Sequence, residues 1–225
     1  MPRTAKKKTE TPTSSQTKLT SVIKSARDFM RKDAGLNGDL DRIPWADLKP
    51  NPFFVEYAEQ RGLAGNGSKA LVVGCGLGDD AGYLHQLGFN VSAFDISPTA
   101  IEWAKRAHHG LPIDFRTADL FATPDDWNGA FDFVLEIYTI QPLPIGMRPE
   151  VIDRISQFVA PGGTLVVVTR GRADDEETRE VPWPLSRRDL SRFEINGLLQ
   201  ISFDERPGNE DPPIPRFVVS YLRDS

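Results

Sequence analysis

From residue 69 onward the apolar positions alternate between short continuous runs and longer amphipathic stretches. KALVV (69–73), NVSAFD (90–95), IDFRTAD (113–119), FDFVLEI (131–137) and TLVVVTR (164–170) read as buried strands. Residues 79–88 set Tyr83, Leu84 and Leu87 on one helical face. Residues 148–160 do the same with Val151, Ile152, Ile155, Phe158 and Val159, and PGG (161–163) is a stop. Ser97 is a good N-cap and Pro98 suits the first helical position, so a helix is predicted through about His108. A charged, Pro-containing loop, GRADDEETREVPWPL, follows Arg170 and precedes a short helix at 186–193. LLQISFDE (198–205) and RFVVSYL (216–222), joined by RPGNEDPPIP, close the chain as a hairpin. Strands alternating with helices predict the α/β class: a doubly wound, mostly parallel seven-stranded sheet with a C-terminal antiparallel strand.

Upstream the pattern changes twice. Residues 1–18 are rich in Thr, Ser, Pro and Lys and are expected to be a disordered tail. Residues 19–34 place Leu19, Val22, Ile23, Ala26, Phe29 and Met30 at spacings of three and four, an amphipathic helix that GLNGD (35–39) ends. The expected organisation is a tail at 1–18, a helical segment at 19–44 and one α/β domain at 45–225. Residues 44–54, with three prolines, read as an extended or turning entry, and 53–61 as a short helix.

Charge sharpens this division. The 225 residues carry a formal net charge of −5, yet residues 1–18 hold five Lys/Arg and one Glu. A basic tail thus accompanies an acidic body, which disfavours nucleic acid as a general partner. One cysteine, Cys75, excludes an intrachain disulfide and a multi-cysteine zinc site, no metal spacing is present, and a reducing cytoplasm is expected. No apolar run approaches the ~18 residues of a membrane span, and the N-terminus lacks the apolar core of a signal peptide.

The chemistry is concentrated in LVVGCGLGDD (71–80). A strand entering a glycine-rich turn and then a helix exposes backbone N–H groups to a ligand. Gly74, Gly76 and Gly78 are spaced G-x-G-x-G, and Asp79 takes the place of the last glycine of a dinucleotide motif. Asp79 and Asp80 suit a helix N-terminus but repel a pyrophosphate. The site therefore favours a phosphate-free, cationic cofactor, and S-adenosylmethionine (SAM) has both properties. Asp95 ends the next strand, where an acid accepts hydrogen bonds from ribose hydroxyls; Asp119 ends the third strand and Glu136 the fourth.

GCGLGDD, FDISPTAIEWAK, ADLF, FDFVLEIY and PGGTLVVV resemble motifs I to VI of class I SAM-dependent methyltransferases across about 69–170. The thiopurine, thiol and halide methyltransferases are the most similar branch: Pro44-Trp45 with Pro50 and Pro52, and EIYTIQPLPIGMR, are similar to their segments. Many class I enzymes carry an acid two residues before the first glycine, where Val72 stands here. The resemblance implies a SAM site in which Gly74, Cys75, Gly76, Gly78 and Asp79 line the methionine end. Asp95 would bind ribose, Ile96, Asp119 and Leu120 would lie at adenine, and Trp45 would cover the cofactor. Glu136 would face the methionine ammonium or the acceptor.

Each residue also has a plainer role available. Cys75 suits a small buried position, Asp95 a turn cap, Glu136 a structural hydrogen bond, and Trp183 either an acceptor wall or a packing anchor. An amine or hydroxyl acceptor would require a general base, with Glu136, Tyr138 and Asp80 as candidates; a thiolate would not. NPFF (51–54) and DPPI (211–214) fail as base-gripping D/N-P-P-Y/F motifs, and the fourth strand leads into EIYT. Residues 19–43 resemble the start of type I restriction-system modification subunits, which keeps a DNA-associated methyltransferase as the alternative, beside a non-catalytic SAM-binding module. The expected activity is methyl transfer from SAM to a small molecule; sequence leaves the oligomeric state open.

Overall fold

The computed structural model describes residues 48–177 and 181–225. The basic tail, the 19–34 helix and Trp45 lie outside the described residues. Helix α1 (Pro52–Arg61) leads into β1 (Lys69–Val73), α2 (Asp79–Gln86), β2 (Asn90–Asp95), α3 (Pro98–Ala107) and β3 (Asp114–Thr117). Then come β4 (Phe131–Ile137), α4 (Arg148–Phe158) and β5 (Val159–Arg170). The short helices α5 (Arg187–Leu190) and α6 (Arg192–Ile195) precede β6 (Leu198–Arg206) and β7 (Arg216–Arg223).

The strands form one seven-stranded sheet in the order β3-β2-β1-β4-β5-β7-β6. The first five are parallel, and β7 runs antiparallel to both β5 and β6. Because side chains alternate along a strand, each strand feeds two cores. Leu71, Val73, Val134, Leu165 and Val167 face α4, whose Val151, Ile152, Ile155 and Phe158 are buried against them. Ala70, Val72, Phe133, Leu135 and Val166 face the other way, toward Phe54 of α1, Leu84 of α2 and Ile101 of α3. Each such buried aliphatic or aromatic side chain contributes about 1.5–3 kcal/mol of transfer free energy.

Caps match the local sequence. Asn51 accepts from the N–H groups of Phe53 and Phe54 at the start of α1, and the Ser97 hydroxyl accepts from Ala100 at 3.2 Å.

Three expected boundaries differ. The third strand ends at Thr117, so Asp119 lies beyond it and caps the 3₁₀ turn Leu120–Ala122 instead. Its carboxylate satisfies the Phe121 N–H, a local bond that competes with extending an edge strand. The fourth helix stops at Phe158, and PGG lies within β5 as an irregularity: Phe131 pairs with Val159, and Phe133 with Thr164. The expected helix at 186–193 is two one-turn pieces, α5 and α6, which meet at Ser191.

Candidate active site

The strand order reverses between β1 and β4, which both hydrogen-bond in parallel but whose chain continuations leave in opposite directions. Such a switch point opens a crevice at the carboxyl ends of the strands. The loops after β1, β2, β3 and β4 all meet there.

The loop after β1 is built for close approach of backbone. Gly74 has φ 61°, and a Cβ on it would stand 2.4 Å from Thr139 Oγ1. Gly78 has φ 86°, and a Cβ there would stand 2.8 Å from the Phe115 ring. Only glycine meets both demands. The Cys75 N–H donates to Phe94 O at 2.9 Å, which ties the loop to β2. Burial pushes the Cys75 thiol well up, and nearby Asp95 adds to the effect, so the side chain is a neutral packing group rather than a nucleophile.

Asp95 sits at the end of β2 and bonds across the crevice. Its Oδ2 accepts from Gly76 N at 3.0 Å and its Oδ1 from Ser97 N at 2.8 Å. Burial raises its carboxyl above the usual range, opposed by backbone N–H groups of Ser97, Gly76 and Ile96. Each oxygen of a carboxylate has capacity for a second hydrogen bond. Ile96 beside it is half-buried, and the Ala118 N–H donates to Asp95 O at 3.0 Å, bringing Asp119 and buried Leu120 to the same edge.

Asp79 and Asp80 open α2. The Asp80 carboxylate accepts from Asn51 N at 2.7 Å, which joins the start of α1 to the start of α2. The turn after β4 is organised by Glu136. This side chain is 0% exposed, and its Oε1 accepts from Thr139 N at 2.6 Å and Ile140 N at 3.0 Å. Oε2 is buried without a partner, and burial pushes the carboxyl up to about 7. The same turn holds Tyr138 at φ 59°. The phenol oxygen accepts from Arg216 Nε at 3.0 Å. Thr139 donates to Val73 O at 2.9 Å, so it braces β1 and walls Gly74 at once.

The residues present suit SAM. The polar groups at the crevice are carboxylates and backbone amides, fitted to hydroxyls and a cation rather than to phosphates.

Residues 70–163 match a family described as a methyltransferase domain. A probable thiol methyltransferase 2 from Arabidopsis thaliana is 31% identical over 160 residues, which cover 65% of this chain and 68% of that protein. The class I SAM-dependent methyltransferases include this chain. A 2-heptyl-1-hydroxyquinolin-4(1H)-one methyltransferase from Mycobacteroides abscessus is 28% identical over 152 residues. That match spans 66% of this chain and 65% of the relative, so just under two thirds of the relative's length is matched. The crystal structure of 1,6-didemethyltoxoflavin-N1-methyltransferase from Burkholderia thailandensis, with 1,6-didemethyltoxoflavin and S-adenosylhomocysteine (SAH) bound, superposes with a TM-score of 0.69. At 15% identity over 96% of this chain and 94% of that one, it speaks for the fold.

The chain has polar residues at the crevice that sequence reasoning passed over. Buried Gln141 accepts from Thr169 Oγ1 at 3.1 Å and Arg170 N at 2.9 Å. Arg216 ion-pairs with Glu210, which also faces Arg170 at 3.3 Å. A lone glutamine or arginine inside an apolar, proline-rich run was the only available signal. Among the described residues no group of three His, Cys, Asp or Glu could hold a metal ion, and no helix is long and apolar enough to cross a membrane.

Proposed function

We propose that the chain transfers the methyl group of SAM to a small-molecule heteroatom nucleophile, a thiol or a readily ionised hydroxyl. The observation that carries this reading is the Asp95 carboxylate, fixed by a backbone N–H on each oxygen at the switch point. Its remaining acceptor capacity suits ribose hydroxyls. Gly74, Cys75, Gly76, Gly78 and Asp79 would meet the methionine end, Ile96, Asp119 and Leu120 the adenine, and Trp45 would cover the cofactor. Glu136 would stand by the ammonium group, acting through the turn it holds.

Bound SAM supplies a methyl carbon made electrophilic by its sulfonium. The chain's own work is positional: to hold an acceptor lone pair in line at about 3–3.5 Å and to keep water out. Of the three base candidates, the Tyr138 oxygen receives Arg216 and Asp80 receives Asn51, whereas Glu136 keeps Oε2 without a partner and its carboxyl is raised to about 7. The preference for an acceptor that ionises readily rests on the relatives' names, a thiol and a 1-hydroxyquinolone methyltransferase. Trp183 would form an apolar acceptor wall. The single cysteine fits a reducing compartment, and we place the chain in the cytoplasm.

The test is calorimetric titration with SAM and SAH, then a methyl-transfer screen over thiols, N-hydroxy heterocycles, phenols and amines. Asp95→Ala is expected to weaken SAH by tenfold or more, on the order of 1.4 kcal/mol. A wild-type chain with no affinity for SAH would sink the proposal.

A further inference from the structure

The loop after β5 is long, charged and irregular, yet one stretch of it is held as firmly as a strand. Leu185 N donates to Arg170 O at 2.8 Å, and Arg172 N donates to Leu185 O at 3.0 Å. Two residues earlier, Trp183 N donates to Gln141 O at 2.9 Å, and Trp183 O accepts from Arg148 Nη2 at 2.6 Å. Both backbone polar groups of Trp183 are therefore taken, between Pro182 and Pro184, whose rings restrict φ. The indole is half-buried and belongs to neither apolar core.

Arg148 is the residue that closes this arrangement. It is 2% exposed, and Nη2 also reaches Pro184 O at 3.2 Å. Nη1 pairs with Asp189 Oδ2 at 2.7 Å, an oxygen that Arg172 Nη2 shares at 3.2 Å. The same carboxylate accepts from Ser186 N at 2.9 Å and closes the capping box of α5. Arg148 is also the first residue of α4, where the helix dipole disfavours a cation. A buried guanidinium at a helix N-terminus has no reason in the helix itself. Its fork of donors has one in the loop, because it fastens two carbonyls and a carboxylate together.

We propose that Arg148 is a positioning residue for the methyl acceptor. It clamps residues 181–186 so that the Trp183 indole stands as a fixed wall over the carboxyl ends of β4 and β5. The inference rests on the small-molecule reading above, and Arg148 itself touches neither cofactor nor acceptor.

The test uses Arg148→Lys in the full chain, because a single ammonium cannot reach Asp189 and both carbonyls. Asp189→Asn is the milder second variant, should the first fail to fold. Amide hydrogen exchange across 181–186 is expected to accelerate about tenfold or more in Arg148→Lys and about threefold in Asp189→Asn. With thiophenol as the probe acceptor, KM is expected to rise about tenfold while kcat stays within about threefold and SAH affinity within about twofold. Unchanged exchange overturns the clamp. Faster exchange with an unmoved KM overturns its role toward the acceptor, and a parallel loss of SAH affinity marks general loosening and overturns it too. A wild-type chain inert toward every thiol tells against the acceptor class, and exchange across 181–186 then decides the clamp alone.

Discussion

The two halves of the crevice are held together differently. On the β1–β3 side backbone N–H groups donate to strand-end and turn carboxylates within one βαβ unit: Gly76 and Ser97 to Asp95, Phe121 to Asp119. On the β4–β5 side, beside the local turn that Glu136 holds, side chains reach across distant segments: Gln141 accepts from Arg170 N, Arg148 pairs with Asp189, and Arg216 donates to Tyr138. A site for an invariant cofactor can be written in glycines and turn caps. A site for an acceptor that differs between related enzymes is written in side chains that a few substitutions can rearrange.

The sharpest way to break the cofactor half is Gly74→Ala. It forces a Cβ onto Thr139 at positive φ, and it should cost roughly 3 kcal/mol or more of stability together with most SAH affinity. Urea denaturation and calorimetry measure both.

On the β4–β5 side, Glu136 gives a pH signature. Its folded carboxyl is raised to about 7 from an unfolded value of 4.5, so the fold favours the neutral form. That stabilisation is complete below the unfolded value and is lost as pH rises through 7, with a slope of at most about 1.4 kcal/mol per pH unit. Glu136→Gln should remove the slope between pH 4.5 and 7.5 in denaturant titrations while keeping an oxygen for Thr139 and Ile140. A slope that survives the substitution would assign it elsewhere.

Gln141→Ala leaves the Arg170 N–H without its acceptor, while the Thr169 hydroxyl can still turn to Arg170 O, and is expected to cost about 2 kcal/mol. If the halves are as separate as their bonding, KM for the acceptor should suffer and SAH affinity should not. The smallest effect is Ser97→Ala, the lost cap of α3, at about 1 kcal/mol, with its influence on the cofactor side only. Thermal unfolding with and without SAH reads it.

Legibility followed the same division. The strand runs, the glycine turn and the register of Asp95 could be read because each depends on residues within one βαβ unit. Asp119 was misplaced on the strand because a capping bond to Phe121 ends the edge strand early, and such local competition leaves little trace in an apolar pattern. The PGG segment reads as a helix stop, which it is, yet β5 begins before it because Val159 finds Phe131 across the sheet. Arg148 and Asp189, 41 residues apart, meet only once the sheet has brought α4 and the post-β5 loop together. Nothing in the apolar pattern of either segment announces the other.

The bare Oε2 of Glu136 joins the two halves. Its partner oxygen holds the turn that carries Thr139, and Thr139 walls Gly74. A buried carboxyl raised to about 7 is partly protonated near neutral pH, so occupancy of the crevice beside it shifts that proton. Ligand association should therefore exchange a fraction of a proton with solvent. Its heat should differ between buffers of unequal ionisation enthalpy, and Glu136→Gln should make those heats coincide.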